Sequence, residues 1–395
     1  MKAINEILSY IVNVIFPNRR LKHLLDYSLT DEEIRLNNEV VYGNQDNILE
    51  LKSALWFLPK IGNINAGGIV TILKIADHLT KTSGCKNYFI FSNGDLNKYH
   101  RDISLLYPEL NFEIMQSSLE KENIDRLPRT NIGICTFWTT AFSLAKYNKC
   151  DKKFYLIQDD ERCFYEYGST RELVESTFRM GFKGIINSDY VYNLYKSYSH
   201  ASSYRYYPGV NEYYYCDNKN INEDIINVVV YCRPSHSRNC FETIIVSIKS
   251  VAETLKGRVV FHLVGENINR KSYKLPENCI VHGHVSNESE LKKLYNICNF
   301  GVSFISTPTI SYHQLDLIQS RVCLIANKNM EIENIFHPGE VLYSEPTPNA
   351  LATLILNLVN DHDMVRDAIN KSSEKLKIFN WCNCLTNIET FIRNE

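Results

Sequence analysis

Short apolar runs that suit β-strands alternate with amphipathic segments that suit helices, and this alternation occurs twice along the chain. In the first half the strand-like runs are Ala54–Leu58, Tyr88–Phe91, Ile132–Thr136, Phe154–Ile157 and Gly184–Ile186. The helix-like segments between them are Ile69–Leu79, Phe142–Tyr147, Leu173–Met180 and Tyr190–Tyr198. Strands that alternate with helices build a parallel sheet with helices on both faces. The sequence therefore predicts an α/β fold.

The pattern stops at a polar segment, Cys216–Asp224, which is typical of a linker, and then restarts. Ile225–Tyr231 is a nearly unbroken β-branched run, suited to a central strand of a parallel sheet. Because 395 residues exceed the size of one hydrophobic core, we predict two doubly wound Rossmann-like domains facing a central cleft. The predicted parts are a helical extension at 1–50, domains at 51–215 and 225–380, and a tail at 381–395 that packs back on the first domain.

The composition argues against several classes of protein. A net charge of −2 gives no electrostatic reason to expect nucleic acid as a partner. The twelve cysteines include no Cys-x-x-Cys pair, which favours a reduced compartment over a disulfide framework or a metal site. No run approaches the roughly 18 apolar residues that cross a bilayer. We therefore predict a cytoplasmic protein with no metal and no cofactor.

The first 23 residues combine a helical apolar periodicity with a basic end. The apolar positions are Ile4, Ile7, Leu8, Ile11, Val12, Ile15 and Phe16, and the basic end is Arg19, Arg20, Lys22 and His23. Two interpretations stay open: a helix docked on the protein's own surface, or an interfacial helix held by anionic lipid. The second would place the protein peripherally at the inner face of the plasma membrane.

A glycine pair, Gly67 and Gly68, follows the first predicted strand and opens a helix. Paired glycines allow a ligand close to the backbone, and the free N–H groups of a helix N-terminus attract anions. The segment lacks the full dinucleotide fingerprint and the Walker lysine, which argues against NAD and ATP. The alternative interpretation is an ordinary turn.

An acidic stretch, Gln158-Asp159-Asp160-Glu161, follows another predicted strand. Carboxylates at such a strand end are suited to orienting an acceptor hydroxyl or acting as a base, which makes Asp159 and Glu161 catalytic candidates. The alternative is that these acids are only solvated at the start of a loop.

Arg233, followed by Pro234 and Ser235, ends the first predicted strand of the second half. A guanidinium at a strand end is suited to gripping a phosphate group through two hydrogen bonds, so Arg233 is a candidate both for binding and for catalysis. The alternative is a surface arginine beside a helix cap.

Two further turns in the second half precede helices. His284 and Val285 lie in a turn whose backbone groups suit the edge of a nucleobase, and His284 is placed to approach a phosphate. A single histidine is more often structural, and no second metal ligand has a matching spacing, so we predict no metal.

The other turn is rich in hydroxyl groups, and Asp316 lies in the helix behind it. Its candidate residues for binding an anion are Ser306, Thr307, Ser311 and Tyr312. Asp316 is placed to accept hydrogen bonds from ribose hydroxyls, or it only interacts with the helix dipole.

Taken in order, these stretches resemble bacterial glycosyltransferases of the GT-B fold in the retaining family-4-like group, most closely rhamnosyltransferases that build cell-surface glycans. The matching residues are Gly67, Gly68, Thr71, Ile72, Gln158, Asp159, Glu161, Arg233, Pro234, Ser235, Ser311, Tyr312, Leu315 and Asp316. The sequence departs from the family pattern at four positions. Asp316 and Pro308 replace two glutamates, His284 replaces a basic residue, and Arg321 replaces a glycine.

The resemblance implies metal-independent transfer of a sugar, such as rhamnose from dTDP-rhamnose, in O-antigen or capsule biosynthesis. The second domain would hold the nucleotide-diphosphate sugar, and the first would bind a glycan or lipid-linked glycan acceptor. Arg233 would neutralise the departing diphosphate, and Asp316 would bind ribose. Two rivals stay open: a non-catalytic GT-B scaffold for polysaccharide assembly, and a sugar-nucleotide epimerase of the same architecture.

Overall fold

A computed structural model of the protein describes residues 26–43, 50–217, 219 and 224–395. The chain divides into two compact units: the first contains the residues up to Tyr206 together with Leu385–Glu395, and the second is Tyr207–Cys384. The division falls before the boundary at 215 that we expected, because the intervening residues contact the second unit. Val210 N donates to Phe379 O at 3.1 Å, for example. The proposed helix within 1–23 lies outside the described residues.

The first unit is a sheet of seven parallel strands in the order β3-β2-β1-β4-β5-β6-β7. Its strands are β1 Ser53–Leu58, β2 Lys86–Phe91, β3 Phe112–Gln116, β4 Thr130–Cys135, β5 Cys150–Ile157, β6 Lys183–Ile186 and β7 Ser203–Arg205. Its helices are α1 Asp31–Tyr42, α2 Gly67–Ser83, α3 Leu96–Leu106, α4 Lys121–Asp125, α5 Trp138–Lys146, α6 Ser169–Thr177 and α7 Asp189–Tyr198. All five predicted strands are present, and β3 and β7 are additional.

Helix α1 is hydrogen-bonded to this sheet through a buried lysine. A capping box starts the helix, with Glu33 N donating to Thr30 Oγ1 at 3.2 Å and Thr30 N donating to Glu33 Oε2 at 2.8 Å. Lys153 of β5 is 2% exposed, and its Nζ donates to Asn37 Oδ1 in α1 and to Asn148 Oδ1, each at 2.8 Å. A buried charge must be hydrogen-bonded, so this network joins the helix to the core.

The second unit is a sheet of six parallel strands in the order β10-β9-β8-β11-β12-β13. Its strands are β8 Ile226–Cys232, β9 Val259–Gly265, β10 Cys279–Gly283, β11 Phe300–Val302, β12 Cys323–Ala326 and β13 Leu342–Tyr343. Its helices are α8 Phe241–Thr254, α9 Glu288–Ile297, α10 Tyr312–Gln319, α11 Met330–Ile335, α12 Pro348–Leu358 and α13 His362–Lys375. The β-branched run of β8 is almost wholly buried at the centre, as predicted.

Both sheets reverse their strand order at one place, next to the first strand of the unit. In the first unit the reversal lies between β1 and β4, and in the second between β8 and β11. In open α/β sheets, ligands bind outside the carboxyl ends of the strands at such a switch point. This topology directs attention to the loops that follow β8 and β11.

A final helix, α14 (Trp381–Asn394), begins in the second unit, and its residues from Leu385 onward belong to the first. The Phe391 ring lies 5.7 Å from the ring of Tyr204, and Glu389 Oε2 lies 2.9 Å from His78 Nε2. Over the part of the chain that the structure describes, no helix has both the length and the apolar character needed to span a bilayer.

Candidate functional site

The loops after β8 and β11 meet at the switch point of the second unit. Arg233 directly follows β8, and Ser306 lies just beyond β11. Two hydrogen bonds join the loops: Ser306 N donates to Arg238 O at 2.8 Å, and Asn239 Nδ2 donates to Phe304 O at 3.3 Å. The structure therefore brings together two of the stretches that the sequence analysis selected.

The guanidinium of Arg233 is held by neutral partners and remains accessible. Its Nη1 donates to Tyr231 Oη at 3.2 Å, and its Nη2 lies 2.7 Å from His236 Nε2. The nearest carboxylate contact is longer, at 3.7 Å from Nε to Glu266 Oε1. The side chain is 29% exposed. A guanidinium with neutral partners and an open edge is suited to bind a phosphate group.

Glu266 is a site residue that the sequence analysis missed. It accepts hydrogen bonds from Ser235 N at 3.0 Å and from the Ser235 hydroxyl, and it lies 3.2 Å from His236 Nδ1. Burial alone would raise the pKa of Glu266, but these hydrogen bonds outweigh burial and lower the pKa. Gly265 allows the approach: its φ is +137°, and a Cβ there would lie 2.3 Å from Cys232 O. The only sequence signal was an acid at the end of the neighbouring strand.

Several enclosed polar atoms in the second unit have no hydrogen-bond partner among the residues that the structure describes. They are both ring nitrogens of His313, Oδ1 of Asn239 and Oγ of Ser303. The imidazole of His313 stacks on the Tyr231 ring at 4.2 Å. Burial, and then the charge of Arg233, lower the pKa of His313 to about 3, so the ring is neutral. Unpaired buried polar atoms are uncommon in folded proteins, so these four atoms are candidates to contact a ligand or an ordered water.

The hydroxyl groups after β11 have different surroundings. Ser306 is exposed, whereas Thr307 is buried with its Oγ1 3.3 Å from that of Thr309. Ser311 caps α10, accepting from Gln314 N at 3.3 Å, and the Tyr312 ring stacks on Trp381. The hydroxyl group of Ser311 is thus already used as a cap, so of these four residues Ser306 is the most accessible to a ligand.

Asp316 lies on α10 in surroundings that favour its neutral form. Burial, and then the charge of Glu288, raise the pKa of Asp316 to about 8. A carboxylic acid can both donate and accept hydrogen bonds, so Asp316 is suited to contact a hydroxyl group. Its predicted role with ribose stays a prediction.

The turn after β10 is shaped by Gly283. Its φ is +64°, which favours glycine, and a Cβ there would lie 1.7 Å from Asn267 Oδ1, so any other residue would displace the Asn267 side chain. The turn leaves His284 exposed and Val285 half-buried. Their predicted contacts with a donor nucleotide stay predictions.

In the first unit, the acidic side chains after β5 mostly form hydrogen bonds with other groups of the protein. Asp160 is 1% exposed and receives two hydrogen bonds from Arg162, each at 2.9 Å. Glu161 is 4% exposed and accepts from Trp138 N at 2.7 Å, at the start of α5. Burial raises the pKa of Glu161 well above its usual range. We predicted that Glu161 orients an acceptor hydroxyl or acts as a base; its carboxyl group caps α5, and its catalytic role stays a prediction.

Asp159 is half-buried in the same loop, and its catalytic role stays a prediction. The neighbouring Gln158 reaches the predicted glycine pair. Its Nε2 donates to Gly68 O at 3.1 Å, and a Cβ on Gly68 would lie 3.3 Å from that nitrogen. The space beside Gly68 is therefore occupied by the protein's own side chain. Gly67 begins α2.

A cleft that is open to solvent lies at the carboxyl ends of β1, β2 and β3 in the first unit. Its polar lining consists mainly of hydroxyl groups, from Tyr27, Ser92, Ser117, Ser118, Thr139, Thr140 and Ser143. Hydroxyl groups both donate and accept hydrogen bonds, as sugars do. Within the described residues, no group of three or more His, Cys, Asp or Glu side chains is arranged to hold a metal ion.

The sequence matches the family described as "WsaF, C-terminal domain" over residues 226–356, which lie in the second unit. It is also 23% identical over 376 residues to the O-antigen biosynthesis protein RfbC of Myxococcus xanthus. That match covers 91% of this chain and 29% of RfbC, so the chain spans less than a third of its relative's length.

Two solved structures are similar to this chain as a whole. Anabaena HepE, solved in complex with UDP, has a TM-score of 0.69 at 12% identity, covering 87% of this chain and all of HepE. A glycosyltransferase from Rickettsia africae has a TM-score of 0.59 at 15% identity, covering 87% of this chain and 98% of its own. With the two parallel-sheet α/β units, these matches confirm the predicted fold class: the chain has the GT-B fold.

Proposed function

We propose that the protein is a glycosyltransferase that moves a sugar from a nucleotide-diphosphate donor to a growing surface glycan. The observation that carries this proposal is Arg233, which presents a partly exposed guanidinium at the switch point of the second unit. The crystallised complex of HepE with UDP and the name of RfbC agree with this chemistry. The match to both relatives extends over most of the chain.

The proposed chemistry is stabilisation of a leaving group. When the bond between the sugar and the diphosphate breaks, negative charge grows on the diphosphate, and a preorganised cation lowers the barrier. Arg233 supplies the cation, and the exposed Ser306 a hydroxyl donor. We propose that transfer does not require a metal, because a guanidinium takes the charge. Transfer that persists in EDTA supports this point, and a rate restored only by added Mg²⁺ or Mn²⁺ refutes it.

We further propose that the acceptor, a glycan or lipid-linked glycan, binds to the first unit. The hydroxyl-lined cleft at the carboxyl ends of β1–β3 supports this assignment. Replacing Ser92, an exposed serine of the cleft lining, with leucine should then raise KM for the acceptor and leave donor affinity unchanged. Ser197→Leu changes an exposed serine of α7 in the same unit and is the control matched in size.

The donor that we propose first is dTDP-rhamnose, because the motif resemblance is closest to rhamnosyltransferases. The test is a panel of dTDP, UDP and GDP in thermal-shift and calorimetric titrations, followed by transfer assays with the matching nucleotide sugars. A strong preference for UDP or GDP would reject the rhamnose donor and keep the enzyme class.

The same experiment separates the rivals. A non-catalytic scaffold binds none of the three nucleotides, and that result would overturn the proposed function. An epimerase converts the nucleotide sugar without any acceptor, so analysis of products from acceptor-free mixtures identifies it. A glycosyltransferase yields free nucleoside diphosphate together with an extended glycan.

A further inference from the structure

Arg233, His236 and Glu266 form a hydrogen-bond chain in the second unit. Arg233 Nη2 lies 2.7 Å from His236 Nε2, and His236 Nδ1 lies 3.2 Å from Glu266 Oε1. A guanidinium can only donate, so Nε2 must be the acceptor. The neutral ring then carries its proton on Nδ1, which can donate to Ser235 Oγ at 2.7 Å or to Glu266 Oε1 at 3.2 Å. These hydrogen bonds fix the tautomer of His236 and the orientation of the three side chains.

Glu266 also fastens the loop from which Arg233 extends. Its carboxylate accepts from Ser235 N at 3.0 Å, and its own N donates to Cys232 O at 2.7 Å. The loop after β8 is thus tied to the end of β9 on both sides of Arg233. Side chains held by such supporting contacts keep their geometry when a ligand arrives.

We propose that Glu266 and His236 are positioning residues, which aim the Arg233 guanidinium at the diphosphate of a nucleotide sugar. The inference rests on the proposed function of the site. By charge alone, a carboxylate 3.7 Å from Arg233 Nε would weaken the binding of an anion. If Glu266 positions Arg233, removing the carboxylate should instead weaken anion binding, because the His236 imidazole and the loop after β8 both lose a hydrogen-bond partner.

The protonation of His236 also distinguishes an effect of charge on anion binding from an effect of positioning. The charged groups that face it are Arg233, Arg238 and Glu266. Burial, and then Arg233, lower the pKa of His236, while Glu266 opposes them. A protonated ring cannot accept from Arg233, so positioning predicts that acid weakens anion binding. An added positive charge, taken alone, would strengthen it.

The first test measures the affinity for dTDP-rhamnose and UDP-glucose by calorimetry near neutral pH. Glu266→Ala should bind the donor about tenfold more weakly than the unmodified protein, and Glu266→Gln, which keeps an acceptor oxygen, should recover most of that loss. Glu277→Ala is the matched control, because it removes an exposed charge elsewhere in the same unit. Equal or tighter binding by Glu266→Ala overturns the inference.

The second test follows the same affinities from about pH 8 down to about pH 5. A nucleotide sugar is the suitable probe, because a terminal phosphate titrates near pH 6 and would obscure the result. Because burial lowers the pKa of His236 below the usual histidine value of about 6.5, affinity should weaken only toward the acid end of this pH range. His236→Gln has a donor and an acceptor but does not titrate, so its profile should be flatter, while the exposed His337→Gln control should follow the unmodified protein.

The outcomes separate this inference from the proposed function. If the unmodified protein binds no nucleotide sugar, both fall. If it binds, and Glu266→Ala and His236→Gln leave affinity and pH profile unchanged, only the positioning roles fall. Should Glu266→Ala fail to fold in a thermal melt, the His236→Gln profile decides: a profile identical to that of the unmodified protein overturns the inference.

Discussion

Arg162 in the first unit and Arg233 in the second both follow the carboxyl end of a parallel strand, yet their surroundings differ. Arg162 is 9% exposed, and it donates to both oxygens of Asp160 and to Glu175. Arg233 is 29% exposed, and its close partners are the neutral Tyr231 and His236. An arginine saturated by carboxylates supports the structure, whereas one held by neutral acceptors retains the capacity to bind an anion.

The largest expected effect tests the structural arginine. Arg162→Ala leaves the 1% exposed Asp160 without its counter-charge, which should lower the free energy of unfolding by about 3–5 kcal/mol. Urea unfolding measures the change. Asp160→Asn combined with Arg162→Ala should recover part of the loss, because no buried charge remains. A loss below about 1 kcal/mol would contradict the structural role, since it falls in the range of surface pairs.

Arg233→Ala should give the converse result. We expect the free energy of unfolding to change by less than about 1 kcal/mol, as is usual for accessible ion pairs. Nucleotide-sugar affinity should fall about 100-fold, which corresponds to about 2.7 kcal/mol. Arg233→Lys should bind with intermediate affinity, because an ammonium group lacks the planar fork. Loss of stability without loss of affinity would remove the contrast between the two arginines.

The buried Asp160 and the half-buried Asp316 extend the comparison to pH. Burial would raise the pKa of Asp160, but Arg162 outweighs burial and lowers it, so its contribution to stability is lost as the pH falls through the lowered pKa. Burial raises the pKa of Asp316 to about 8, so its contribution is present at low pH and is lost as the pH rises from about 4 to about 8.

Asp316→Asn should therefore reduce the loss of stability that occurs as the pH rises toward about 8, which we call the alkaline limb of the stability profile. We expect the variant to melt about 2–4 °C above the unmodified protein at pH 8, with the difference shrinking at pH 5. Thermal melts across that range measure it. Asp363→Asn, an exposed acid in the same unit, is the control and should leave the limb unchanged. If Asp316→Asn still loses stability as the pH rises, the loss comes from the titration of another group.

The smallest expected effect concerns helix ends. In the first unit α2 ends at Gly84 with a φ of +65°, whereas in the second unit Arg321, just after α10, has a φ of +52°. This backbone conformation favours glycine, so Arg321→Gly should stabilise the protein by about 0.5–1 kcal/mol. Gly84→Ala should cost a similar amount. A destabilised Arg321→Gly would show that the hydrogen bond from Arg321 to Asn370 outweighs the strain.

The fold was predictable where burial produces apolar runs, and harder to predict where the core contains polar groups. The expected strand Phe154–Ile157 begins four residues earlier, at Cys150, because Lys152 and Lys153 are buried within it. A lysine pair in a sequence indicates a surface, but the Lys153 ammonium finds its hydrogen-bond acceptors in α1 and at the end of α5. Strand β3 is only half-buried, and its pattern is too weak to recognise.

The candidate site was likewise predictable only in part. Arg233 was identified because its place at a strand end is encoded locally. Glu266 and His313 were not, since their relation to Arg233 arises only when separate strands and a helix come together. The burial of Glu161 was not predictable either: its sequence neighbours are acidic, which is typical of a solvated loop, yet the fold places its carboxyl group against Trp138 N. The left-handed φ of Arg321 agrees with the glycine that the motif comparison expected there.

Helix α14 has a consequence for biosynthesis. Its residues from Leu385 onward complete the first unit, although they are translated after the whole of the second. Because ribosomes extend chains from the N-terminus, the first unit must wait for α14 before Glu389 can contact His78 and Phe391 can stack on Tyr204. Nascent chains halted before residue 385 should therefore carry a first unit more open to protease than chains that extend through α14.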